Sequence, residues 1–214
     1  MDTPAAGVPP ATQADELRIL EDQLTRMRGM LFGYSERFFE RIRTYLLISL
    51  ALLVISGMGV FPGAVIAVPF LVPFAFLETG YLFFYTVFAR RHAEYLERAI
   101  NTRLGRQVLV AHRLESAYFY PPDAPKIAGI SLGNPAGFMS AATIGYTAGA
   151  TLLWFAGMLG TATQDNAQLL LGAAVVWTAV IALYLVLANL TRHDERRLLA
   201  ALDAAYGAPG SPKP

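Results

Sequence analysis

The sequence predicts an all-α polytopic membrane protein, with four transmembrane helices in two hairpins and amphipathic helices on the cytoplasmic side. Three observations carry this expectation. Of 214 residues, 55% are hydrophobic and 15% charged, with a mean hydropathy of +0.42. That is more apolar surface than a soluble domain of this size can bury, so the excess must face lipid. Four apolar runs occur in two pairs, 45–61 with 64–89 and 135–160 with 167–190, each pair joined by a short turn. Finally, all 17 basic residues fall on one side of these runs: six precede the first, seven lie from Arg90 to Lys126, four follow the last, and neither turn holds any. The positive-inside rule then puts both termini in the cytoplasm and the chain in the plasma (inner) membrane.

Residues 1–14 and 207–214 are rich in Ala, Pro and Gly and read as disordered tails. The first tail has no basic or apolar core, so it is neither a signal nor a transit peptide, and targeting falls to the first span. Between the tails, residues 15–134 form one unit and 135–206 a second.

A helix is expected from Asp15, where Asp15 and Glu16 suit the positive end of the helix dipole. Its apolar residues Leu17, Leu20, Leu24, Met27, Leu31, Tyr34 and Phe38 recur in steps of three and four, a coiled-coil seam weakened by Gly29 and Gly33. This seam packs on the protein's own second cytoplasmic helix or on another copy. The 17 residues of span one reach about 25 Å, short of a hydrocarbon core of about 30 Å. Span two has 26 residues, and Pro69 and Pro73 should kink it. The helical pattern then runs on past Arg90 and Arg91 through Leu96, Ile100, Leu104, Val108 and Ala111 to Tyr118, antiparallel to the first helix. A glycine-spotted loop, 121–134, leads to a third helix opened by Pro135. After span four, residues 192–206 make a basic amphipathic helix.

The absence of cysteine removes disulfides and thiolate chemistry. His92, His112 and His193 lack metal-ligand spacing and are read as solvated, so no metal is expected. Gly129, Gly133 and Gly137 lack the Lys-Ser/Thr of a P-loop, and no hydrolase or zincin motif occurs. No cofactor, no enzymatic activity and no nucleic acid partner are expected. Phe83, Phe84, Tyr85 and Phe88 are read as interfacial or lipid-facing.

Glu78 is the one acidic residue inside a span. It lies 12 residues from Arg90, about 18 Å along a helix, which places it near the bilayer midplane with no basic partner in reach. Such a carboxylate must face protein or water rather than lipid. Its expected partners are water, the same residue of another copy, or hydroxyls of span three, where Ser140, Thr143, Thr147 and Thr151 share a face and Thr147 matches its depth, beside a small-residue strip containing Gly145 and Gly149. The expected polar site is therefore Glu78, Thr143, Thr147 and Thr151, with Gly145 and Gly149 as packing positions. Two functions fit: a channel or pore assembled as a homo-oligomer around Glu78, or a non-enzymatic scaffold or regulatory subunit that binds a cytoplasmic protein partner through its helices.

Overall fold

The computed structural model describes residues 12–118, 126–127, 130–131, 138–191 and 193–206. These residues are helical apart from their turns and a two-residue antiparallel ladder pairing Lys126 with Ser131 and Ile127 with Ile130. The helices are α1 (Gln13–Gly57), α2 (Val68–Leu104), α3 (Ala111–Tyr118), α4 (Phe138–Thr161), α5 (Ala167–Thr191) and α6 (His193–Tyr206). Residues 1–11 and 207–214, the expected helix start at Pro135 and most of the glycine-spotted loop lie outside the described residues.

The expected cytoplasmic helix and the first apolar run are one uninterrupted helix of 45 residues. It starts at Gln13 rather than Asp15, because Thr12 is the N-cap: the Asp15 amide donates to its hydroxyl at 3.3 Å, and its own amide donates to the Asp15 carboxylate at 3.0 Å. Gly29 and Gly33 each weaken a helix by about 1 kcal/mol, which burial of Leu20 and Leu24 at about 1.5–3 kcal/mol each offsets. The helix stops at Gly57, and Gly59, at φ +72, turns the chain into a short 3-10 segment, Pro62–Ala67. Pro69 then falls in the first turn of α2, where no amide donor is needed, so only Pro73 interrupts the helix interior.

α1 and α2 lie antiparallel and share the most extensive contact in the fold. One core joins Leu20 and Leu24 to Ala93, Leu96 and Ile100, with Met27 and Leu109 packed against it. The two seams therefore meet as expected, except at Leu104, which is 41% exposed. α2 ends there because Gly105 takes φ +65, a left-handed cap, so the helix does not continue to Tyr118. Asn101 closes the turn that follows: its Oδ1 accepts from the Val108 and Leu109 amides at 2.9 and 2.8 Å, and its Nδ2 donates to the Leu109 carbonyl at 2.7 Å.

A second core, Val68, Val72 and Ala150, joins α4 to α2. α4 and α5 both pack on α2 more than on each other. The close approach on α4 is made by Gly157 and Gly160, where an added Cβ would stand 2.8 Å from Val68 and 2.4 Å from Val65. Gly145 and Gly149, expected as the packing positions, have nothing within 4 Å, because the residues next to them, Tyr146 and Ala150, are the ones turned toward α2. Trp177 of α5 donates from its indole nitrogen to the Phe70 carbonyl at 3.0 Å. Among the described residues, two helical stretches, 62–104 and 167–206, are long and apolar enough to cross a membrane.

Candidate functional site

Glu78 is not isolated. Arg41 Nε stands 3.3 Å from its Oε1, and the Tyr45 hydroxyl donates to its Oε2. The register of α1 on α2 explains the difference from expectation. Tyr45 packs edge-on to Phe74 at 6.3 Å, Phe38 lies 6.4 Å from Phe83, and Tyr34 stacks on Tyr85 at 5.0 Å. The long apolar run of α2 therefore overlaps the charged stretch 36–43 of α1, and Glu78 lies level with Tyr45, where the first apolar run only begins. Counting inward from Arg90 along α2 alone left out the register of α1, which sets Arg41 and Tyr45 beside the carboxylate. The long arginine stem then brings the guanidinium of Arg41 to it.

The expected partners on α4 are elsewhere. Thr151 donates to the Thr147 carbonyl at 2.7 Å, the local bond of a helical threonine, and neither contacts Glu78. The side chains of Ser140 and Thr143 lie outside the described residues. α4 meets α2 through Tyr146, whose ring is 5.4 Å from Phe76, on a different face of α2 from Glu78. Among the described residues, Thr147 and Thr151 are not joined to Glu78.

A larger polar cluster, which sequence reasoning missed, lies where the N-terminal half of α1, the C-terminal half of α2, α3 and α6 converge. Its centre is Glu97, 1% exposed. Arg28 of α1 pairs with Glu97 Oε1, while His112 of α3 brings both its ring Nδ1, at 2.9 Å, and its amide, at 3.1 Å, to Oε2. Burial pushes the Glu97 carboxyl up, but the hydrogen bonds from His112 and Arg28 outweigh it and hold the group below the usual carboxylate range. Glu115, one turn along α3, reaches Arg28 at 3.8 Å and Arg90 at 3.7 Å.

On another side, Arg91 joins Glu94 and Glu195 of α6, both at 3.3 Å, and Glu94 also pairs with Arg98. Tyr95 donates to Asp203 at 2.6 Å, and burial together with that bond pushes its phenol up to about 12. His92 Nε2 lies 2.8 Å from the Tyr206 hydroxyl, which donates to Gln23 at 3.2 Å. Burial holds the His92 imidazole below its usual value. His92 and His112 are thus paired within the protein rather than solvated; His193, 76% exposed, is solvated. The fold-back at Gly105 is what delivers His112 to Glu97, fifteen residues earlier in the chain.

The chemistry of this cluster is cohesive: carboxylates and guanidiniums satisfy one another across four helices. Glu97 and His112 have the form of an oriented base, but Arg28 covers the carboxylate and protein surrounds it. Among the described residues, no group of three His, Asp or Glu side chains is placed to hold a metal ion. No protein-family model, curated protein or solved structure matches this chain.

Proposed function

We propose that the chain is a non-enzymatic membrane scaffold or regulatory subunit, anchored by four spans in two hairpins and presenting a rigid cytoplasmic layer of helices to a protein partner. The observation that carries this reading is the pairing of Glu78 with Arg41 and Tyr45 inside its own chain. A carboxylate so engaged has no need of a shared axis or of a ring of equivalent groups from other copies. The interlocked cluster around Glu97 supports the second half of the reading, because it joins α1, α2, α3 and α6 into one stiff layer.

The four-span arrangement is supported by helix lengths and by charge. α4 and α5 have 24 and 25 residues, about 36 Å each, and the apolar half of α1 runs beside α2. The sidedness of the basic residues supports cytoplasmic termini and the plasma (inner) membrane. A homo-oligomeric pore is the second reading, favoured by α5, on which only Ala174 and Ile181 are buried among the described residues. That helix has most of its surface left for lipid or for another copy.

The test combines mass and flux. The purified chain in mild detergent is expected at the mass of one copy, and liposomes containing it are expected to release no entrapped ions above the empty-liposome rate. Oligomeric mass with ion flux that Glu78→Gln abolishes would replace the scaffold by the pore.

A further inference from the structure

We propose that α6 is an acid-released latch: it lies docked on α2 and α1 while His92 is neutral, and it lifts away when that imidazole takes a second proton. The attachment of α6 is mostly polar. Among the described residues it buries one side chain of its own, Leu202, and three polar contacts tie it to α2: Arg91 to Glu195 at 3.3 Å, Tyr95 to Asp203 at 2.6 Å, and His92 Nε2 to the Tyr206 hydroxyl at 2.8 Å. The last of these sets the tautomer of His92. Tyr206 donates its proton to Gln23 of α1, at 3.2 Å, so Nε2 carries the imidazole hydrogen and donates to the phenol oxygen. Nδ1 is then the nitrogen left to take a proton from acid, and it is shielded from solvent with no hydrogen-bond partner among the described residues.

A proton on Nδ1 is a buried donor without an acceptor, and its charge is a buried charge without a counter-ion; both are relieved when the ring reaches water. The groups around the ring do not relieve them. On α2 itself the neighbours are Phe88, edge-on at 5.9 Å, and Arg91, a like charge engaged with Glu94 and Glu195. From α1 the facing group is Gln23, which is uncharged, and from α6 it is Tyr206, whose ring centroid lies 5.6 Å away, while the Asp203 carboxylate is held by Tyr95. Burial accordingly holds the imidazole below its ordinary 6.5 while α6 is docked, and the lifted state returns it to that value. The lifted state therefore binds more protons, so docking is at full strength above about pH 6.5 and weakens as the pH falls below it. α6 yields before the rest of the layer because α1 and α2 are joined by the leucine core, which α6 touches through Tyr206 alone among the described residues. Lifting uncovers Arg91, Tyr95 and the edge of that core. The latch belongs to the fold whether or not the layer recruits a partner.

Amide hydrogen exchange of the full chain in detergent tests the latch, read by mass spectrometry at pH 7.5 and 5.5 and corrected for the intrinsic rate at each pH. Exchange of 193–206 is expected to be faster than that of 17–31 in α1 at both values, because α6 lifts without the rest. It should rise on going to pH 5.5 by up to about tenfold, the limit for one proton taken up by a group of ordinary value 6.5. His92→Gln should abolish the rise. His193→Gln, which removes the exposed histidine at the start of α6, and His112→Gln should keep it. Equal exchange of α6 at the two pH values in the wild type, a rise that survives His92→Gln, or exchange of 193–206 and 17–31 at one common rate overturns the latch. Should His92→Gln undock α6 by itself, seen as fast exchange at both pH values, the other two histidine variants decide: loss of the rise in either overturns the latch, and its retention in both leaves His92 as the histidine that titrates.

Discussion

The Arg28 guanidinium and the Glu97 carboxylate meet across the seam between α1 and α2, with Glu97 1% exposed and Arg28 39% exposed. A carboxylate so buried is tolerated only while its partners are present, since removing one partner of a buried pair leaves an uncompensated charge. The pair therefore fixes the register of the two longest helices as much as the leucines beside it do.

Arg28→Ala is expected to destabilise the layer formed by α1, α2, α3 and α6 by about 3 kcal/mol, the low end of the range for a broken buried pair because the arginine itself is partly solvated. Glu97→Gln should cost less, because it removes the buried charge while keeping a hydrogen-bonding shape. Unfolding followed by tryptophan-independent circular dichroism in detergent supplies both values. A loss below about 1 kcal/mol for Arg28→Ala would mean that the pair is a surface contact.

Acid should weaken the same layer in two stages with one sign. The folded His92 imidazole is held below the value of 6.5 it has when unfolded, so the unfolded chain binds more protons as the pH falls; the contribution is present above about pH 6.5 and is lost below it. The Glu97 carboxyl is held below its ordinary 4.5, so its contribution is present above that value and is lost as the pH falls through the folded one. Stability profiles of wild type, His92→Gln and Glu97→Gln separate the stages, each variant flattening its own. A wild-type profile that stays level as the pH falls below 6.5 contradicts the His92 assignment, and one that stays level as it falls on below 4.5 contradicts that of Glu97.

Much of the fold was legible because periodicity reports which face of a helix is buried: Leu20 and Leu24 do meet Leu96 and Ile100. What periodicity does not report is register between helices, and register decided the surroundings of Glu78. A depth counted along α2 from Arg90 ignored that α1 carries Glu36, Arg37, Glu40, Arg41 and Arg43 alongside it. The break at Gly105 had a sequence signal, a glycine just after Arg103 in a closing turn. It was obscured by apolar spacing that happens to continue through Val108. The partners of His112 and Glu97 depend on that break and were invisible without it.

Sidedness gives a topological prediction. The turns holding Gly63 and Asp165 belong at one end of the molecule and Arg98 and Arg196 at the other, where the basic residues gather. Cysteines introduced at Gly63 and Asp165 should react with an impermeant thiol reagent only from outside intact cells, and cysteines at Arg98 and Arg196 only after permeabilisation. The reverse pattern would invert the proposed orientation.

The Arg41–Glu78 contact makes the last prediction. If the two charges compensate each other beside lipid, removing either one leaves the other in poorly solvating surroundings, whereas removing both does not. Arg41→Leu and Glu78→Leu should each lower thermal stability in detergent, and the double variant should regain part of the loss, with a coupling of about 1 kcal/mol or more. Strict additivity would mean that the carboxylate does not depend on its arginine. Glu78 would then be available to a neighbouring copy, and the pore reading would gain at the expense of the scaffold. The same variants in liposomes complete the comparison, since a pair whose only task is structural changes stability and leaves ion leakage at the empty-liposome rate.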